Sequence, residues 1–264
     1  LYRPRAWIIT IGNELLIGRT VNTNAATIAR ELTLRGVLVK RIVVVGDSID
    51  EIATAVREAL GSADIVVTTG GLGPTDDDMT MEAVAAAIDE PLVLNPEALE
   101  MVKKFYGEKG LPLTRERIKM AYLPRGAEPL PNPVGAAPGA YIIYSGSHII
   151  MLPGVPAEME AMLQEALKKL KPFLPRLCVV EEGITIRGVP ESTLAPLLRR
   201  AAKSCSDCYV KSHPKGHEVR EPVVEVKVLA SAPNCETAKS RVRNMLGKLE
   251  ALLNATHSPG KRGL

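Results

Sequence analysis

The chain has 264 residues, 46% hydrophobic and 24% charged, with a formal net charge of +3. That length accommodates one large core and a smaller unit. A near-neutral charge without a basic block argues against nucleic acid held by bulk electrostatics. No apolar run reaches membrane-spanning length and residues 1–5 lack a signal-peptide core, so a cytoplasmic protein with no membrane partner is expected.

Residues 7–11 are an apolar, β-rich run ending at Gly12. Asn13 and Glu14 follow at its carboxyl end, where open α/β sheets place ligands. Asn22 or Asn24 caps a helix carrying Ala25, Ile28, Ala29 and Leu32 at helical spacing, and Gly36 stops it. Residues 37–45 read as a second strand running out at Gly46 and Asp47. Ser48 and Glu51 make a capping box for a helix to about residue 60. Residues 65–69 form a third strand, so strand and helix alternate three times within about eighty residues. That rhythm predicts βαβ units and a largely parallel sheet.

The third strand opens into Gly70, Gly71, Leu72, Gly73 and Pro74, then Asp76, Asp77 and Asp78, with a helix from about Thr80. Glycines between a strand and a helix expose backbone N–H groups beside a helix N-terminus, which suits phosphate. Three carboxylates in that turn would repel a bare anion, so a bridging Mg²⁺, Mn²⁺ or Co²⁺ or an acid–base role is expected. Helix patterns continue over residues 81–88, from Asn95-Pro96 to about residue 110, and over residues 115–121. Residues 123–139 are rich in Pro and Gly, an ordered or a flexible loop. A hairpin over residues 140–152 leads through Pro153, Gly154 and Pro156 into another helix, a second candidate anion cradle.

Pro172 and Pro175 bracket a domain boundary, giving regions 1–172 and 173–255 with a flexible tail over 256–264. The second region reads βαββα, a small α+β module. No GxxxxGK[ST], GxGxxG after a strand, or GxSxG occurs, which disfavours P-loop, dinucleotide and serine-hydrolase chemistry. Cys205, Cys208, His213 and His217 have a zinc-like spacing. Buried thiols and a disulfide are the alternatives to zinc, and the single Gln and many Pro favour a thermophile's disulfide.

Thr69-Gly70-Gly71-Leu72-Gly73-Pro74-Thr75-Asp76-Asp77-Asp78 resembles the GGLGPTxDD signature of the CinA (competence/damage-inducible protein A) family. Gly12-Asn13-Glu14-Leu15-Leu16, Thr23-Asn24-Ala25, Val45-Gly46-Asp47, Asn132-Pro133, Ala137-Pro138-Gly139 and Pro153-Gly154-Val155-Pro156-Ala157-Glu158-Met159 are similar to it too, in the family's order. Molybdopterin-binding domains of molybdenum-cofactor biosynthesis are its broader relatives. Asp78-Met79-Thr80 matches their Asp-x-Thr and Asp47 their aspartate after the second strand, while Leu72 replaces a threonine of their loop.

The resemblance implies a three-layer α/β/α molybdopterin-binding-like domain with a mostly parallel sheet, followed by a small α+β domain of KH-like character. It implies metal-dependent pyrophosphatase activity on ADP-ribose or a similar dinucleotide, with molybdopterin binding or adenylylation, or non-catalytic nucleotide binding, as alternatives. A homodimer or homotrimer is implied as well. The family's nicotinamide-mononucleotide deamidase domain lies beyond the matching segments, so that activity is not expected of this sequence. The expected catalytic residues are Asp78, Asp47 and Glu14, with Asp77 and Asp78 on the metal. Gly70, Gly71, Leu72, Gly73, Pro74, Thr75, Asn13, Asn24, Gly139, Pro153, Gly154 and Pro156 are expected to line a nucleotide or pterin ligand.

Overall fold

The computed structural model describes residues 2–215 and 221–257. By contacts these form two compact units, residues 1–33 with 37–175 and residues 34–36 with 176–264. The first unit runs β1 (Arg5–Ile11), α1 (Asn13–Leu16), α2 (Thr23–Leu34), β2 (Leu38–Val45), α3 (Ile49–Leu60), β3 (Ile65–Thr69) and α4 (Thr80–Ala87). It continues with β4 (Leu92–Leu94), α5 (Pro96–Glu108), α6 (Arg115–Lys119), β5 (Tyr122–Pro124), β6 (Glu128–Leu130), β7 (Gly139–Tyr144), β8 (Ser147–Leu152) and α7 (Pro156–Leu170).

Six strands form one sheet in the order β2-β1-β3-β8-β7-β6. β2, β1, β3 and β8 are mutually parallel, and β7 and β6 add an antiparallel edge. Alternation along β1 explains the layers. Ala6 and Ile8 pack with Ile28, Leu32, Met159 and Leu163 of α2 and α7. Trp7, Ile9 and Ile11 pack with Ile52, Val56, Val84 and Val102 of α3, α4 and α5. Successive side chains on a strand face opposite sides, so one apolar run feeds two cores. At roughly 1.5–3 kcal/mol per fully buried large aliphatic, these two cores are the main stabilising term. The expected mostly parallel α/β/α architecture is the one observed.

The sequence reading passes over β4, β5 and β6, each three residues long and two containing proline. Such segments carry no readable period. The proline-rich stretch is ordered by Asn132, whose Oδ1 accepts from the N–H of Val134 (3.1 Å) and Gly135 (2.8 Å). Its Nδ2 donates to Ala137 O (2.9 Å) and to Glu158 (2.7 Å).

The second unit runs β9 (Cys178–Arg187), α8 (Glu191–Ala202), β10 (Cys208–Pro214), β11 (Val223–Ala232) and α9 (Cys235–His257). β11 is the central strand of an antiparallel sheet, β10-β11-β9. The strict alternation of Val224, Val226, Val228 and Ala230 faces Leu194, Leu198, Val242 and Met245 of the helices. The expected tail begins too early, because α9 continues through Thr256; residues 258–264 lie outside the described residues. All four cysteines are paired, Cys178 with Cys235 and Cys205 with Cys208. The zinc spacing therefore has no thiolates to offer, and His217 lies outside the described residues.

At the amino edge of the large sheet, buried His148 shares a 2.6 Å hydrogen bond between Nδ1 and the Tyr141 hydroxyl. The Phe173 ring covers it at 4.2 Å between centroids. Burial pushes the imidazole below its ordinary pKa, against a smaller opposing pull from Asp64. The folded state therefore binds the His148 proton more weakly than the unfolded chain does. Stability from this site is complete above the unfolded pKa of about 6.5 and falls as pH drops below it. The expected result is a Tm several degrees lower at pH 5 than at pH 7.5, with the part owed to this site lost in His148→Gln.

Candidate functional site

Strand order locates the site. From β1 the chain crosses to β2 on one side, then returns to β3 on the other, so the crevice opens at the carboxyl ends of β1 and β3. There β3 passes into Gly70 at φ +111°, in a region that residues with a Cβ rarely adopt. A Cβ at Gly70 would stand 2.3 Å from the Ile11 carbonyl oxygen. The Gly70 N–H donates to Leu152 O at 3.0 Å. That corrects the expected role of Gly70: its N–H extends the sheet toward β8 and is not offered to phosphate.

The turn at residues 153–156 closes on this loop. The Thr69 hydroxyl donates to Pro153 O (2.7 Å), and Asn24 Nδ2 donates to Thr69 Oγ1 and Gly154 O, both at 2.9 Å. A Cβ on Gly154 would lie 3.3 Å from Gly70 Cα. Pro156 occupies the first turn of α7, where a missing N–H costs nothing. On the other side, the Thr80 hydroxyl donates to Gly70 O (2.8 Å) and its N–H to Gly71 O (3.1 Å). Buried hydrogen bonds of this kind are worth about 0.5–1.5 kcal/mol each and fix the loop between the starts of α4 and α7. Leu72 turns into the core, 5% exposed. The N–H groups of Gly71, Leu72 and Gly73 have no hydrogen-bond partner among the described residues.

The carboxylates are separately engaged. Asp78 Oδ2 accepts from the Thr75 N–H (2.9 Å) and hydroxyl (2.5 Å) and lies over Gly73, where a Cβ would meet it at 2.5 Å. The same Thr75 hydroxyl, Asp77's own N–H and the charge of Lys119 hold the exposed Asp77 carboxyl below its ordinary range. Asp76 is exposed. Asp47 Oδ2 accepts from the Asn13 N–H at 2.9 Å. Glu14 folds back over Gly12, so that a Cβ there would meet its Oε1 at 2.3 Å. Among the described residues, no three His, Cys, Asp or Glu side chains group to hold a metal ion. The expected cluster is thus a row of separate acids along one edge, because each is tied to its own turn.

Gly139, expected at the ligand, is a buried packing residue, with no room for a Cβ between Met151 O (2.5 Å) and Met162 Cε (2.7 Å). Three side chains that sequence reasoning passed over stand at the loop. Lys119 Nζ donates to Thr75 O, and Arg115 and Tyr122 stand with Pro74 and Asp76 around a cleft of about 550 Å³. Lys119 is 44 residues from Thr75, and no local signal in the sequence joins them. Asn22 was legible as a cap: its Oδ1 accepts from Ala25 N–H (3.2 Å) while Nδ2 donates to Thr10 Oγ1 (2.9 Å).

Residues 7–176 match the profile of a family described as a probable molybdopterin binding domain. A crystal structure of a CinA protein of unknown function from Thermoplasma acidophilum is 51% identical. That similarity covers 63% of this chain and 98% of that one, at a TM-score of 0.60. A protein from Aeropyrum pernix is 54% identical over 93% of this chain and 92% of its own length. One from Caldivirga maquilingensis is 55% identical over 93% and 95%. By the profile match and the identity with the Thermoplasma protein, the chain belongs to the molybdopterin-binding-domain family, as a CinA-type member of it.

Proposed function

We propose that the first unit binds a phosphate-bearing pterin of the molybdopterin class and supports its adenylylation at the carboxyl edge of the sheet. The observation that carries this reading is the run of three N–H groups at Gly71, Leu72 and Gly73, unclaimed among the described residues and held by Thr80 at the start of α4. Such amides beside a helix start favour phosphate oxygens. Membership of a family described as probable molybdopterin-binding supports that ligand class. Thr75 and Lys119 then brace the acidic half of the loop, leaving Asp78 beside the bound phosphate.

Among the described residues there is no closed metal site. A Mg²⁺, Mn²⁺ or Co²⁺ carried in by phosphates needs just one or two carboxylates, and Asp78 and Asp77 are the ones that would hold it. The ion would offset charge on the phosphate oxygens. Calorimetric titration with molybdopterin, with and without ATP and Mg²⁺, tests the reading. Micromolar binding strengthened by the second ligand is expected, and no heat with either would defeat it. Asp78→Asn should weaken binding about tenfold or more with Tm within about 3 °C, since a half-exposed turn carries little global stability.

A second reading, hydrolysis of ADP-ribose or a similar dinucleotide, is favoured by Leu72. Its buried side chain leaves this loop without a hydroxyl at that position, so a diphosphate would be held by backbone alone. AMP release from ADP-ribose with Co²⁺ or Mg²⁺, lost in Asp78→Asn, separates the two readings.

A further inference from the structure

The two edges of the six-stranded sheet differ. β6, at one end, is three residues long and holds Pro129, with Pro131 just after it, features that keep another strand from pairing. β2, at the other end, is eight residues long, free of proline and rich in Val and Ile. No strand pairs with its outer side among the described residues. Ile42 stands at the middle of that edge, 48% exposed, with the half-buried Val44 two residues on.

The hydrogen bonds to β1 decide which backbone groups of β2 are left over. The Gly12 N–H donates to Val45 O (3.1 Å) and the Thr10 hydroxyl to Val43 O (3.1 Å), so Val43 and Val45 turn their carbonyls to β1. Backbone groups alternate sides along a strand, which points the N–H and C=O of Ile42 and Val44 outward. β2 carries one extra residue, Lys40, between the partners of Ala6 and Trp7, and a bulged residue is left unpaired. A lysine and a bulge blunt an edge against indiscriminate pairing, but they leave residues 42–44 open.

We infer that β2 pairs antiparallel with β2 of a second copy of this chain, centred on Ile42, joining two six-stranded sheets into one. In that register Ile42 meets its own counterpart, Val44 meets Lys40 and Val43 meets Arg41. The outward N–H and C=O of Ile42 bond their symmetry mates, and the two isoleucines cover each other. The Lys40 stem lies along Val44 with its ammonium in water. No like charges are opposed, and Arg41 is already held over the Trp7 ring at 4.6 Å. Sliding the strands one way brings Arg41 or Lys40 against itself; sliding them the other way separates the isoleucines and brings Lys40 to Gly46. A two-fold contact of this kind closes at the dimer. Because the strands run oppositely, the two candidate sites open on opposite edges of the joined sheet.

Sedimentation of the full chain over a range of concentrations tests the pairing. A dimer with a dissociation constant on the order of 10 µM is expected, the weak end that a short interface allows. Ile42→Lys should weaken it at least tenfold while the Tm stays within about 3 °C, because the side chain is exposed. Ile42→Pro should do the same, since the N–H it removes is not one that β1 uses. All four native cysteines are in disulfides, so an added thiol reads the register. Ile42→Cys should give a covalent dimer on mild oxidation, whereas Val44→Cys, whose two copies would lie about 13 Å apart, should not. A chain still monomeric at about 500 µM would overturn the pairing and leave this edge to a strand of another protein. A dimer indifferent to Ile42→Lys would overturn it too, as would an assembly beyond the dimer or crosslinking through Val44→Cys in place of Ile42→Cys.

Discussion

Replacing Gly70 by alanine is expected to abolish ligand binding and to lower stability by about 3 kcal/mol or more. Two costs coincide there. The backbone sits at φ +111°, and the added Cβ meets the Ile11 carbonyl oxygen at 2.3 Å. That oxygen belongs to β1, locked between β2 and β3, so it cannot retreat without disturbing the central parallel ladder. A shift of Gly70 would also release its N–H from Leu152 O and its carbonyl from Thr80. The loop, the α4 start and the turn at residues 153–156 would then move together. Gly18→Ala is the matched control, with φ +71° but nothing within 4 Å of the new Cβ, so about 1 kcal/mol is expected. Urea unfolding followed by the fluorescence of the buried Trp7, the chain's one tryptophan, measures both. Equal losses in the two variants would show that the close approach to Ile11 does not matter.

The same locus shows what the sequence makes legible. Strands β1, β2 and β3 could be read because each is a continuous apolar run ending in glycine, and parallel strands buried on both faces must look like that. Their adjacency follows from short βαβ crossovers, so Glu14, Asp47 and the glycine loop were placed on one edge correctly. Which polar atoms stay unclaimed at that edge was not legible. Gly70 looks like a donor in the sequence, yet its N–H is used by β8, a strand whose alignment with β3 no local pattern specifies. Asp78 looks like a free acid, yet it first anchors Thr75. Lys119 and Arg115 reach the loop through a fold-back over β4, α5 and α6 that carries little periodic signal. Residues whose role is set by their own turn could be inferred; those whose role is set by a distant carbonyl could not.

In the second unit the largest expected effect is covalent. Cys178 begins β9 and Cys235 begins α9, and their disulfide spans 57 residues that include the whole antiparallel sheet. In the loop-closure description, a crosslink of that span removes about 4 kcal/mol of unfolded-state entropy, whereas Cys205–Cys208, three residues apart, removes about 2 kcal/mol. The core here is modest: Leu194, Leu197, Leu198, Val242 and Met245 of α8 and α9 against one face of three strands. Small cores are where a staple counts most. The Cys178→Ser/Cys235→Ser double variant should therefore speed hydrogen exchange of the central β11 amides by about a thousandfold, 4 kcal/mol at 1.4 kcal/mol per decade. The Cys205→Ser/Cys208→Ser pair should change it by roughly thirtyfold or less. Reduction distinguishes the crosslink from packing: in a chain carrying Cys205→Ser and Cys208→Ser, dithiothreitol acts on Cys178–Cys235 alone and should speed exchange by a similar factor. Exchange rates indifferent to reduction would show that the sheet and its two helices hold together without the covalent tie.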